Sequence, residues 1–149
     1  MNFPMSRITR TNLGFLLAKA SQRWNAILYA RFCDEGFSHI RPSFGAILVP
    51  LFEEDGLRLG ELAWRAKLSK QTMTTMVRLV ENANLVVTRP DPEDGRAKRV
   101  YLTKAARRFE PVAEKVLAEL ERHAASVEGR AGLEHVRSWL ERFTAAAVT

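Results

Sequence analysis

A single cysteine in 149 residues leaves no internal disulfide to build. Cys33 with His39, His123 and His135, at the spacings they have, cannot make the Cys₄ or Cys₂His₂ set of a structural zinc site. So little thiol suits a reducing compartment. Long apolar runs are missing too. The richest stretches, Leu13 to Ala18 and Phe44 to Phe52, fall far short of the roughly 20 residues that span a bilayer. No charged, apolar and small-residue succession opens the chain as a secretory signal would. The expected location is cytoplasmic, with no membrane partner. Neither a glycine-rich phosphate cradle nor a metal-ligand motif is found. Ser69, the histidines and the acidic cluster Glu53-Glu54-Asp55 show no nucleophile-base spacing, so nothing indicates an enzyme and no cofactor is implied. Internal repeats and low-complexity tracts are also lacking.

What remains is 46 % apolar and 27 % charged, the profile of one soluble domain whose length lets it bury about 70 % of its unfolded surface. The net charge of +6 is unevenly placed. Residues 1–40 carry +3, residues 41–56 carry −2, residues 57–104 carry +5 and residues 105–149 are neutral. A cationic block between less basic flanks favours a polyanion, because each neutralised phosphate releases condensed counterions.

Leu13, Leu16, Leu17, Ala20, Trp24, Ile27, Leu28 and Phe32 recur at three- and four-residue intervals, which predicts a long amphipathic helix ending near Gly36. Pro42 fits the first turn of a second, mostly apolar helix that runs through Ile47, Leu48, Leu51 and Phe52. Two short helices follow, Leu59 to Ala66 and Lys70 to Asn82, joined by Lys67-Leu68-Ser69 with Ser69 as N-cap. After Asn82 the period changes. Leu85 to Arg89 and Arg99 to Leu102 read as short strands around the turn-forming segment Pro90 to Lys98, hence a hairpin. Thr103 can cap a further long helix carrying Val112, Val116, Leu117, Leu120 and Ala124. Gly129 to Gly132 breaks it before a last helix with Leu133, Val136, Trp139, Leu140 and Phe143.

Two helices across a short turn, followed directly by a hairpin with a cationic tip, make a winged helix-turn-helix. Its second helix would enter the major groove and its hairpin the neighbouring minor groove. With Met73, Met76, Val77 and Val80 inward, the second helix leaves Ser69, Lys70, Gln71, Thr72, Thr74, Thr75 and Arg78 outside, side chains suited to base edges and phosphates. At the hairpin tip Gly95 would let the turn tighten and Asp94 would orient Arg96 for a narrow minor groove, with Lys98 and Arg99 near phosphates.

The runs Leu59-Gly60-Glu61-Leu62-Ala63, Leu68-Ser69-Lys70-Gln71-Thr72 and Asp91-Pro92-Glu93-Asp94-Gly95-Arg96 through Leu102-Thr103 resemble the MarR family of bacterial transcriptional regulators. The resemblance covers nearly all of the 1–149 chain and implies a mainly α fold. Residues 41–103 would be the winged helix-turn-helix DNA-binding lobe, with one β-hairpin wing. Residues 1–40 and 104–149 would be long dimerisation helices. It also implies a homodimer on a pseudo-palindromic double-stranded operator, usually acting as a repressor, with Arg96 as the minor-groove arginine. Independently, apolar stripes on three long terminal helices need a partner to cover them.

Family members bind small phenolic or aromatic anions between the dimer helices and the lobe. Here Trp24, Tyr29, Phe32, His39, Arg41 and Phe44 offer aromatic faces and a cation for such an effector. Cys33 lies near the end of its helix, whereas oxidant-sensing relatives carry their thiol near the start, and no second cysteine could resolve it. With His39, Asp34 and Glu35 it also falls short of a metal set. The alternative reading is a winged-helix protein-interaction module without DNA binding, against which the +5 block argues.

Overall fold

In the computed structural model, which describes residues 7–147, helices predominate. The outermost residues of the two flanking segments, 1–6 and 148–149, lie outside the described residues. The first apolar stripe forms α1 (Leu13–Asp34), whose start is capped by Asn12 accepting from the Phe15 N–H at 3.3 Å. A 3₁₀ turn (Pro42–Phe44) leads into α2 (Gly45–Glu53). Proline opens this segment because its fixed φ and missing N–H are harmless in a first turn. The chain then forms β1 (Leu57–Arg58), α3 (Leu59–Ala66), α4 (Lys70–Asn82), β2 (Val86–Pro90), β3 (Lys98–Leu102) and α5 (Lys104–Ala145). Thr103 caps α5 by accepting from the Ala106 N–H at 3.2 Å. The break expected at Gly129 is a kink, with φ 86° and ψ 171° inside an otherwise helical segment.

The wing is more than the two-strand hairpin the sequence predicts. β3 lies in the middle of a three-stranded antiparallel sheet, paired with β2 on one edge and with β1 on the other through Leu57 opposite Val100. β1 is only two residues long, too short for an alternation pattern to register, and its partner lies far along the chain.

A continuous core runs through the lobe. Ile47, Leu51, Leu62, Met73, Val80 and Val100 are fully buried and touch one cluster that extends to Leu28 and Phe32 of α1 and to Phe109, Val116 and Leu120 of α5. Phe32 meets Phe109 edge-on with centroids 4.9 Å apart, so an aromatic pair docks the two flanking helices against each other beside the lobe. Burial fades away from that junction. Leu13, Leu16, Val136, Leu140 and Phe143 remain exposed, although they belong to the same stripes.

Gly56 makes the turn into β1 with φ +71°, and a Cβ there would stand 2.7 Å from the Tyr101 ring. A side chain meets both left-handed strain and overlap. Gly56→Ala is therefore expected to reduce unfolding free energy by about 1–3 kcal/mol, read as a lower urea midpoint. A wild-type midpoint would show that the turn relaxes without strain.

Candidate nucleic-acid interface

The helix-turn-helix corner is set by backbone chemistry. Lys67 turns the chain with left-handed φ 56° and ψ 41°, and the Leu68 N–H closes the corner on the Ala63 carbonyl at 2.9 Å. Ser69 then caps α4, its Oγ accepting from the Thr72 N–H at 3.1 Å and donating to Thr72 Oγ1 at 2.9 Å. Met73, Val77 and Val80 are buried and Met76 is half-buried. Ser69, Lys70, Gln71, Thr72, Thr74, Thr75 and Arg78 are all exposed. The Thr74 and Thr75 hydroxyls donate to the Lys70 and Gln71 carbonyls at 2.8 and 3.2 Å, which leaves their methyls and an oxygen lone pair to face outward. Lys70, Gln71 and Arg78 have no side-chain partner among the described residues.

At the wing tip Asp94 does two things for Arg96. Its Oδ1 accepts from the Arg96 N–H at 3.1 Å and lies 3.7 Å from the guanidinium Nε, a loose pair that leaves the side chain 96 % exposed. The Ala97 N–H donates to the Asp94 carbonyl at 2.9 Å and tightens the loop. Gly95 does not have the role expected of it. Its φ is not left-handed, and nothing lies within 4 Å of a Cβ built there.

The polar face of α4 and the wing share two clefts. Arg58, Gly60, Lys70, Arg96 and Lys98 line one of about 510 Å³, with Glu61 on its wall. Thr74, Arg78, Glu81, Thr88, Arg89 and Lys98 line another of about 400 Å³. Lys70, Thr74 and Arg78, spaced i, i+4 and i+8 along one row of α4, all face the wing. Arg89 is a cation that the sequence reading missed. The signal available was register, since β2 and β3 place Arg89 opposite Arg99, and like charges face one another across strands only at a cost.

Arg99 is not free for phosphate as expected. Its Nη1 donates to the Gly56 carbonyl at 2.8 Å and its Nε lies 3.3 Å from Asp91 Oδ2. Arg58 approaches the same oxygen at 2.5 Å. The Asp91 side chain has no solvent exposure, and its Oδ1 accepts from the Glu93 N–H at 2.9 Å. That backbone hydrogen bond, then the charges of Arg58 and Arg99, hold the carboxyl below its ordinary pKa against the opposing effect of burial.

The residues considered for an effector divide. Trp24 and Arg41 line an apolar cleft of about 260 Å³ between α1, α2 and α5, together with Leu28, Leu48, Val49 and Phe109. Phe32 lines it too, from within the core. Tyr29 stands behind Arg41, whose guanidinium lies 5.5 Å over its ring, and its hydroxyl donates to the Ser38 carbonyl at 2.7 Å. His39 is exposed beside Phe37, and Phe44 is buried in the core; neither lines the cleft.

Residues 42–98 match the family model described as MarR family. Across the fold the chain is similar to a probable transcriptional regulator from Pseudomonas aeruginosa, at 26 % identity and TM-score 0.75, covering 89 % of this chain and 97 % of that one. It is also similar to the PcaV transcriptional regulator from Streptomyces coelicolor in complex with its natural ligand, at 19 % identity and TM-score 0.79 over 97 % of this chain and 100 % of that one. A third likeness is to the transcriptional repressor CouR of Rhodococcus jostii RHA1, bound to a 23-mer DNA duplex, at 21 % identity and TM-score 0.78 over 97 % and 99 %. The last two likenesses show the fold alone. No curated protein matches the chain.

The depressed pKa of Asp91 has a definite sign for stability. A carboxyl lowered from about 3.9 in the unfolded chain contributes stability that is fully present above that value and is lost as pH falls through the folded pKa. In urea titrations below pH 4 or so, Asp91→Asn is expected to lose stability less steeply with falling pH than wild type. Parallel acid limbs would separate Asp91 from the acid response.

Proposed function

We propose that this chain is a sequence-specific, double-stranded DNA-binding transcriptional regulator, a reading supported by the match of residues 42–98 to the MarR family model. The observation that carries this reading is the shared cleft in which Lys70 of the recognition helix faces Arg96 and Lys98 of the wing. α4 presents Gln71, Thr74, Thr75 and Arg78 to base edges, with Thr72 beside them and Ser69 fixing the helix start. Arg96, directed by Asp94, enters the adjacent minor groove. The polypeptide 41–103 is the DNA-binding lobe, and 1–40 with 104–149 are the dimerisation helices.

The exposed apolar residues at the far ends of α1 and α5 support the dimer. Leu13, Leu16, Val136, Leu140 and Phe143 would leave a hydrophobic surface in water that a second copy covers. Two-fold symmetry then presents two recognition helices to a pseudo-palindrome with half-sites about one helical turn apart. In the mode of a repressor, such a dimer occupies a promoter until an effector releases it.

Mobility shift with the adjoining intergenic DNA should give two chains per duplex and an affinity that falls steeply with salt. Arg96→Ala is expected to weaken binding to A·T-flanked sites by about 1–3 kcal/mol. An unchanged binding curve would remove the wing from the mechanism. Absence of any shift would favour the protein-interaction module instead.

The effector cleft lies where the lobe meets the flanking helices, with Leu48 and Val49 from α2, Trp24 from α1 and Leu117 from α5. A small aromatic anion there would place its ring among apolar side chains and its charge near Arg41. It shifts the regulator to the extent that it binds one arrangement of lobe and helices better than another. Calorimetric titration with salicylate is expected to give measurable heat and weaker DNA binding, and Arg41→Ala to abolish both. No heat with unchanged DNA affinity would empty the cleft of this role.

A further inference from the structure

The ten basic side chains of residues 57–104 are not equally available to a polyanion. Arg58 lines the cleft between α4 and the wing beside Lys70, Arg96 and Lys98, yet its guanidinium lies 2.5 Å from Asp91 Oδ2. Arg99, directly across from Arg58 in the sheet, reaches the same oxygen at 3.3 Å and donates to the Gly56 carbonyl at 2.8 Å. Both arginines keep part of their side chains in solvent, 45 % and 31 % exposed, so each could turn toward a phosphate if released. The carboxylate that prevents it is wholly enclosed. It is fixed by the Glu93 N–H on its other oxygen and by its own N–H donating to the Ala97 carbonyl at 2.9 Å.

We propose that Asp91 is a specificity-determining residue of the DNA interface: its buried carboxylate masks Arg58 and Arg99, and so keeps two sequence-independent cations out of the phosphate-binding set. This rests on the DNA-binding reading above. Phosphate contacts fix register and add affinity for every duplex, whereas base-edge and minor-groove contacts discriminate. Each cation withheld lowers binding to random DNA while leaving Gln71, Thr74 and Arg96 to read sequence. Arg99 held on the Gly56 carbonyl also keeps β3 against the turn that precedes β1, so the mask and the placement of the wing tip share the same bonds.

The test uses the full chain at neutral pH and two duplexes of equal length. One is enriched by wild type from a random-sequence pool, and the other is unselected. Asp91→Asn keeps the oxygen that accepts from Glu93 and replaces Oδ2, the atom both arginines pair with, by an uncharged NH₂ that cannot accept from them. On the unselected duplex the slope of log affinity against log salt is expected to steepen by roughly 0.9–1.8, corresponding to one or two added phosphate contacts. The preference for the selected duplex should fall roughly 3- to 10-fold. Glu114→Gln, an equal change of net charge at an exposed site on α5, should move neither. Arg58→Gln should leave the unselected slope as in wild type, since that cation is already masked.

A wild-type slope in Asp91→Asn, or a slope lowered by about 0.9 in Arg58→Gln, overturns the proposal. A wild-type chain that enriches no duplex overturns the DNA-binding reading instead. The mask is then decided on immobilised heparin: elution of Asp91→Asn at higher salt than Glu114→Gln upholds it, and elution at the same salt refutes it.

Discussion

The central position of β3 is the constraint on which the interface depends. A strand hydrogen-bonded on both edges cannot shift without breaking two ladders, and its neighbours sit at a spacing of about 4.8 Å fixed by the backbone. β1 runs straight into α3, α4 leads by a short turn into β2, and β3 ends at the cap of α5. Each helix that matters for recognition is thus attached to a strand of the same small sheet. Val100, at the centre of β3 and fully buried, packs this sheet into the core that also holds Leu62, Met73 and Val80. The relation between the polar face of α4 and the wing tip follows from that joint anchorage.

Charge within the lobe is sorted by the same architecture. Arg65 is committed to Glu54 and Glu61 at 2.6 and 3.0 Å, and Arg58 and Arg99 to Asp91. Lys70, Arg78, Arg89 and Lys98 have no ion-pair partner among the described residues and line the clefts between α4 and the wing. Arg96, with only a loose contact to Asp94, stands out furthest. Much of the surplus that the sequence places in residues 57–104 is therefore concentrated along one side of α4 and the adjacent wing. Unpaired cations of this kind gain little from the folded chain itself, and their contribution becomes large only against a polyanion that releases counterions.

Much of this was legible because the signals were local. α3 and α4 begin and end where the periodicity and the Ser69 cap say they should, Thr103 starts α5, and Gly129 interrupts it. Asp94 and Arg96 meet because two residues in a tight loop have few other ways to arrange themselves. What escaped the sequence was nonlocal. β1 is defined by pairing with a strand far along the chain, not by its own pattern. Asp91 lies in a segment full of turn formers, where an acidic residue is ordinarily solvated. Only the approach of Arg58 from β1 turns it into a buried ion-pair centre and draws Arg99 inward. Phe44 and Trp24 are both aromatics near the first helix junction, and only packing decides that one fills the core while the other lines a cleft.

The apolar cleft beside Trp24 and the clefts between α4 and the wing are linked through α2. Leu48 carries one side chain that is both part of the lobe core and part of the cleft lining, while Ile47 and Leu51 on the same short helix are fully buried in that core. Close-packed interiors move as blocks, because a gap of even a methyl group forfeits contacts on every side. A ligand wedged between Trp24 and Val49 therefore cannot displace α2 alone. It must carry α3, α4 and the sheet with it relative to α1 and α5. Within one chain such a shift leaves the recognition surface intact. Its effect arises only when two lobes must match two half-sites at once, so the effector response and the dimer proposed above would require each other.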